Sequence, residues 1–134
     1  MKSIKGKNNG STIKVLHVDR DKSFLFIAKE ILKILGDFEI DPAYSAIDAY
    51  KALERKQYDV IVSGHSLSLG KSGLDFFKEL KAKGSRVPFI MFSVHSEIGN
   101  EAIEMGVAEF IDKNGECEKV YAGLTKSIKE VCEK

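Results

Sequence analysis

The chain has 134 residues, 43% hydrophobic and 31% charged, with 21 Lys and Arg set against 20 Asp and Glu. That length holds one domain with a real core, and the balance is that of an ordinary globular protein. A net charge of +1 gives no electrostatic basis for binding nucleic acid or an anionic membrane.

Residues 1–12 (MKSIKGKNNGST) are basic and polar without the apolar stretch of a signal peptide or anchor, and read as a flexible leader to one domain over residues 13–134. Ile13 to Val18 is a β-branched apolar run, hence a first strand, ending at Asp19-Arg20-Asp21. Asp21 or Ser23 caps a helix with Phe24, Ile27, Ile31 and Leu35 at helical spacing, and Gly36 stops it. Phe38 to Ile40 is a weak second strand, with Pro42 marking its end or a sheet edge. Ser45 caps a second helix with Ile47, Tyr50 and Leu53 on one face.

Tyr58 to Phe77 (YDVIVSGHSLSLGKSGLDFF) organises the rest. A buried strand, Tyr58 to Val62, breaks into a Gly- and Ser-rich loop, and a helix over Leu74 to Lys83 follows, closed by Gly84. Val87 to Phe92 is a fourth strand; Ser96 opens a short helix over Ile98 to Met105, ended by Gly106; Glu109 to Ile111 is a fifth strand. Glu116 to Cys132 is the last helix, with Val120, Leu124, Ile128 and Val131 on its apolar face. Cys117 and Cys132 bracket that helix. They stand too far apart to bridge and lack metal-ligand spacing, so they read as free thiols of a reducing, cytoplasmic setting.

Five alternations of strand and helix, with near-continuously apolar third and fourth strands, predict an α/β fold: a doubly wound, five-stranded parallel sheet with helices on both faces. The site should lie at the carboxyl ends of the strands, at Asp19-Arg20-Asp21, Gly64-His65, Ser93 and Lys113.

At these positions the chain resembles the receiver domain of two-component response regulators. Val18-Asp19 ends the first strand as in that family, Ser93 in PFIMFSVHS stands where the switch hydroxyl belongs, and Lys113 in AEFIDKNG where the Lys belongs. Phe110 occupies the aromatic switch position; YDVIVS and GLDFFKELK resemble the third strand and helix. The resemblance implies a flavodoxin-like fold and a switch in which an aspartate takes a phosphoryl group beside Mg²⁺. It also implies partners such as a histidine kinase or an output domain. Contact, including homodimerisation, would use the fourth helix, fifth strand and fifth helix.

The departures fall on the chemistry. The phosphoacceptor position is Gly64, which has no nucleophile, and no shift of register restores one: Ser63 should point the other way along the strand and Asp59 lies at its far end. Arg20 replaces the second acidic residue, Leu67-Ser68 replaces Met-Pro, the loop before Gly73 is one residue longer, and Asn114 stands where a cis proline is usual. The chain therefore reads as a degenerate receiver that signals by protein–protein contact without aspartyl phosphorylation, and not as an enzyme. Asp19 and Asp21 remain as a weak remnant of the metal site, so Mg²⁺ binding should be weak or lost. Arg20 is expected to span Asp19 or Asp21 in place of the cation. Phe110 reads as packing and His65 as a lone solvated loop histidine.

Two alternatives remain. One is a switch driven by phosphorylation at an unconventional residue such as His65, or by an anion beside Ser93 and Lys113. The other is a P-loop-like nucleotide binder, since GHSLSLGKSG follows a strand and precedes a helix; that pattern needs four residues before Gly-Lys-Ser, and Gly64 to Gly70 encloses five. On this reading Lys71 is a solvated loop residue.

Overall fold

The computed structural model describes residues 12–133. The leader expected over residues 1–12 therefore lies, apart from Thr12, outside the described residues. Five strands, β1 (Ile13–Val18), β2 (Phe38–Ala43), β3 (Val60–Ser63), β4 (Phe89–Ser93) and β5 (Glu109–Asp112), form one sheet in the order β2-β1-β3-β4-β5, every pair parallel. Between and after them run α1 (Lys22–Leu35), α2 (Ala46–Arg55), α3 (Gly73–Ala82), α4 (Gly99–Met105) and α5 (Cys117–Cys132). This is the flavodoxin-like arrangement, with the strand order reversing between β1 and β3. Among the described residues no helix is long and apolar enough to cross a membrane.

Side chains alternate along the strands and sort into two apolar layers. Val15, Val60, Val62, Ile90 and Phe92 face one side and meet Ala28 and Leu32 of α1 and Leu124 and Ile128 of α5. Leu16, Val18, Ile61, Phe89 and Met91 face the other and meet α2, α3 and Ala102 of α4. Pro42 sits inside β2, which is an edge strand, so its missing N–H costs no ladder bond. β2 runs on past it to Ala43, longer than the sequence suggested.

The helix faces match the sequence reading in part: Phe24 and Ile31 of α1 and Tyr50 and Leu53 of α2 pack against the core as expected, and the fully buried rows lie beside them. α1 buries Leu25, Ala28 and Leu32, while Ile27 and Leu35 are exposed. α2 buries Ala46, Ala49 and Ala52 and leaves Ile47 exposed. On α2 small residues face the sheet and let the helix backbone approach it, while on α1 the buried row falls one position beyond Phe24, Ile27 and Ile31. The caps follow local chemistry. Asp21 accepts from the Phe24 amide, Ser45 from Asp48, and Ser72 from Asp75, whose carboxylate returns to the Ser72 amide as a full capping box.

One close approach fixes the start of α3. The Gly73 amide donates to the His65 carbonyl at 2.6 Å, and a Cβ at Gly73 would collide with the backbone carbonyl of Gly64. Gly73→Ala should destabilise the fold by about 1–3 kcal/mol, as overpacking does. Gly123→Ala, at an α5 position with nothing within 4 Å, should stabilise it by up to about 1 kcal/mol. Urea midpoints of the two variants check the opposite signs.

His17 is the unusual member of the α1/α5 layer. It is 1% exposed, and neither ring nitrogen has a hydrogen-bond partner among the described residues. Burial pushes its pKa from 6.5 down to about 4, Asp19 pulling weakly the other way. Between those values the unfolded chain binds a proton that the folded chain refuses. The stability His17 permits above pH 6.5 is therefore lost as pH falls toward 4. The shift is worth about 3 kcal/mol. Urea unfolding at about pH 7 and about pH 4.5 should show His17→Leu losing less stability than the wild type by roughly that amount.

Candidate functional site

The sheet ladder continues past the strands and sets the carboxyl-end loops side by side. The Asp19 amide donates to Ala43, Gly64 to Val18 and Lys113 to Ser93, all at 2.9–3.0 Å. These loops enclose an open cleft of about 370 Å³ lined by Asp19, Arg20, Asp21, His65, Ser93 and Lys113, whereas Gly64 and Phe110 do not line it. Gly64 lies just beneath it: a Cβ there would point at Asp19 and stop 2.7 Å from Oδ2. Ser63 turns away and donates to the Gly64 carbonyl at 2.8 Å.

An ion pair closes the centre of the cleft. Lys113 Nζ lies 2.9 Å from Asp19 Oδ2, with the two side chains only 18% and 7% exposed. The ammonium also stands 3.9 Å over the Phe24 ring and 5.5 Å from that of Phe92, which shield it from water. The other Asp19 oxygen, Oδ1, accepts from the Asp21 amide at 3.0 Å, and Asp21 Oδ1 is spent capping α1. Arg20 does not fill the role expected of it: it is exposed and pairs with neither Asp19 nor Asp21. Lys113 takes that role because its strand-end position is fixed by the ladder, whereas Arg20 is carried outward on a turn. Among the described residues no group of three or more His, Cys, Asp or Glu side chains is placed to hold a metal ion.

Around this pair the hydroxyl and aromatic positions are engaged locally. Ser93 is 2% exposed, and its Oγ accepts from the His95 amide at 3.0 Å. Phe110 is half-buried against the α2/α3/α4 layer, its ring beside Gly99 of α4. Asn114 Nδ2 donates to the Val94 carbonyl at 3.2 Å, tying the loops after β4 and β5 together.

His65 is not the isolated, solvated histidine expected. It is half-buried, its Nδ1 is unpartnered, and its ring packs edge-on against His95 at 5.6 Å. Burial, then the neighbouring His95, lowers its pKa. His95 Nε2 lies 3.3 Å from Ser66 Oγ, and its Nδ1 3.5 Å from Glu97. The sequence reading missed His95 and Ser66. The signal was there: His65 and His95 each stand two residues beyond the ends of β3 and β4, which are neighbours in the sheet.

The loop from Ser66 to Ser72 does not form a phosphate cradle. Its Ser68–Gly70 segment is a 3₁₀ turn, and the N-terminus of α3 is already filled by its own capping box. Lys71, read from the sequence as solvated, is half-buried and ion-paired with Glu79, which also accepts from the Tyr50 hydroxyl.

The family model of the response regulator receiver domain matches residues 15–125. The chain belongs to that family, and it is a receiver domain of the two-component signalling type. No curated protein matches the chain. Solved structures share the fold. A receiver domain of the Francisella response regulator 1452 is similar at TM-score 0.80 and 20% identity, covering 91% of this chain and 98% of that one. One from Clostridium thermocellum is similar at TM-score 0.78 and 21% identity, covering 90% and 94%. A CheY-like receiver from Methylobacillus flagellatus is similar at TM-score 0.72 and 26% identity, covering 87% and 99%.

Removing Lys113 would leave Asp19 as an unpaired carboxylate at 7% exposure. Lys113→Ala should therefore cost about 3–5 kcal/mol, and adding Asp19→Asn should recover a substantial part of it. Urea unfolding of the four members of that double-mutant cycle measures both.

Proposed function

We propose that this receiver domain signals by protein–protein contact and takes no phosphoryl group on an aspartate. The observation that carries the reading is the Lys113–Asp19 pair closing over Gly64. A receiver that takes phosphate needs a carboxylate at the end of β3 and a lysine left to grip the phosphoryl oxygens. Here the residue that follows β3 is Gly64, and the lysine is committed to a carboxylate it would have to leave. An aspartate grafted at position 64 would meet Asp19 at once, since even a Cβ there stands 2.7 Å from Oδ2.

The same oxygens argue for Mg²⁺ independence. A divalent cation needs several hard oxygen ligands, and both Asp19 oxygens and one Asp21 oxygen already accept hydrogen bonds. The ammonium of Lys113 supplies the compensating positive charge internally. The domain is then held in one conformational state, or moved between states by a partner that binds one of them better. The proposed contact face is α4, β5 and α5, where Ile103 is 48% exposed and Phe110 and Ile111 are partly so. A histidine kinase, an output domain or a second copy of the chain would use this face.

Incubation with acetyl phosphate or phosphoramidate and Mg²⁺, followed by intact mass spectrometry, tests the reading. The expected result is an unmodified chain. A phosphoryl adduct would overturn it, and peptide mapping of that adduct to His65, whose Nδ1 is unpartnered beside the cleft, would establish histidine phosphorylation instead.

A further inference from the structure

The net charge of +1 is unevenly spread along the chain. Residues 1–35 carry eight Lys and Arg against three Asp and Glu, a net +5, while residues 36–134 carry 13 against 17, a net −4. Such polarity between two parts of a chain points to an anionic surface as the partner of the basic part. In the fold the basic part is β1, inside the sheet, and α1, on its outside, preceded by residues 1–11, where Lys2, Lys5 and Lys7 have no acidic residue among them.

α1 also exposes large apolar side chains. Phe26, Ile27 and Ile34 are 66%, 53% and 83% exposed, and their spacing sets them along the side of the helix opposite to Leu25, Ala28 and Leu32. Lys22, Lys29 and Lys33, at i, i+7 and i+11, run along one flank of that stripe, and Glu30 is the one acidic residue of the helix. On the other flank, across a groove at Leu35, α5 brings Lys126 and Lys129 against Glu130 and Glu133. Among the described residues none of these five lysines is in an ion pair. The Ile13 amide donates to the Asp37 carbonyl at 3.0 Å and the Thr12 hydroxyl to the Asp37 carboxylate at 3.1 Å. Residues 1–11 therefore join the domain at the C-terminal end of α1, three residues past Ile34.

We propose that α1, together with residues 1–11, is a docking surface for an anionic lipid bilayer. Phe26, Ile27 and Ile34 enter the interfacial layer, and the lysines meet the lipid phosphates. A nucleic acid would answer the lysines and leave the aliphatic side chains of Ile27 and Ile34 without a partner. A second copy paired antiparallel on α1, with Phe26 against Ile34, would set Glu30 against its own counterpart. The surface is separate from the strand-end cleft, and it stands or falls independently of how that cleft is used.

The test is co-sedimentation of the full chain with vesicles of phosphatidylcholine, alone or with about 30% phosphatidylglycerol. The expected result is saturable binding to the anionic vesicles only, weakened about tenfold or more by salt at about 0.5 M. Phe26→Ser/Ile34→Ser, at two exposed positions, and removal of residues 1–11 should each weaken it about tenfold or more. Ile47→Ser, at an exposed position of α2, should leave it unchanged. The chain has no Trp, so Phe26→Trp reports insertion through a blue shift of its fluorescence and quenching by brominated lipid. Equal binding to neutral vesicles, no binding to anionic ones, or full binding by the Phe26→Ser/Ile34→Ser variant would overturn the proposal. A concentration-dependent dimer lost in that variant, without vesicle binding, would also overturn it and assign the face to a second copy.

Discussion

The Lys113–Asp19 ion pair is the constraint on which the strand-end cleft depends. Two charges taken this far from water are tolerated only because they meet at 2.9 Å with further partners around them. The second oxygen of Asp19 holds the Asp21 amide, and the lysine lies against two aromatic faces. The pair in turn presumes Gly64, because any side chain there would push Asp19 aside. A glycine at one strand end and a contact between two others thus go together. The backbone ladder that positions all of them belongs to the fold and needs none of the chemistry.

Much of this was legible in the sequence for a physical reason. Strand identity follows from apolar runs between Gly and polar caps, and the parallel order follows from strand–helix alternation. Four strand ends then name the site residues by position alone, and the structure gathers all of them but Gly64 in one cleft. What did not follow was the direction of each side chain. Arg20 carried the right charge at the right place in sequence, but the turn before α1 sends it outward. On α1 the buried row falls one position beyond the one assigned, at Leu25, Ala28 and Leu32, and on α2 Ala46, Ala49 and Ala52 lie against the sheet with Tyr50 and Leu53 packed beside them.

The histidines show the same boundary between pattern and geometry. His65 and His95 lie far apart in the chain and become neighbours only because β3 and β4 pair in register. His17 reads as one of two polar letters in the strand IKVLHV, and its burial emerges only once Phe24 and Phe92 are folded over it. In each case the residue type was visible and its environment was not, because environment is set by strands and helices distant in sequence.

The loop between β3 and α3 has a further consequence. It is closed on itself by a bridge between Ser66 and Ser72 and by the Leu67 amide donating to Lys71 at 3.2 Å, while its base is pinned where Gly73 meets His65. Its tip, Leu69, is 80% exposed with a positive φ of 67° and does not line the strand-end cleft. A closed base and a free tip isolate changes in length from the sheet. The tip is a natural place to graft a fluorophore-binding peptide or an affinity epitope without disturbing the domain.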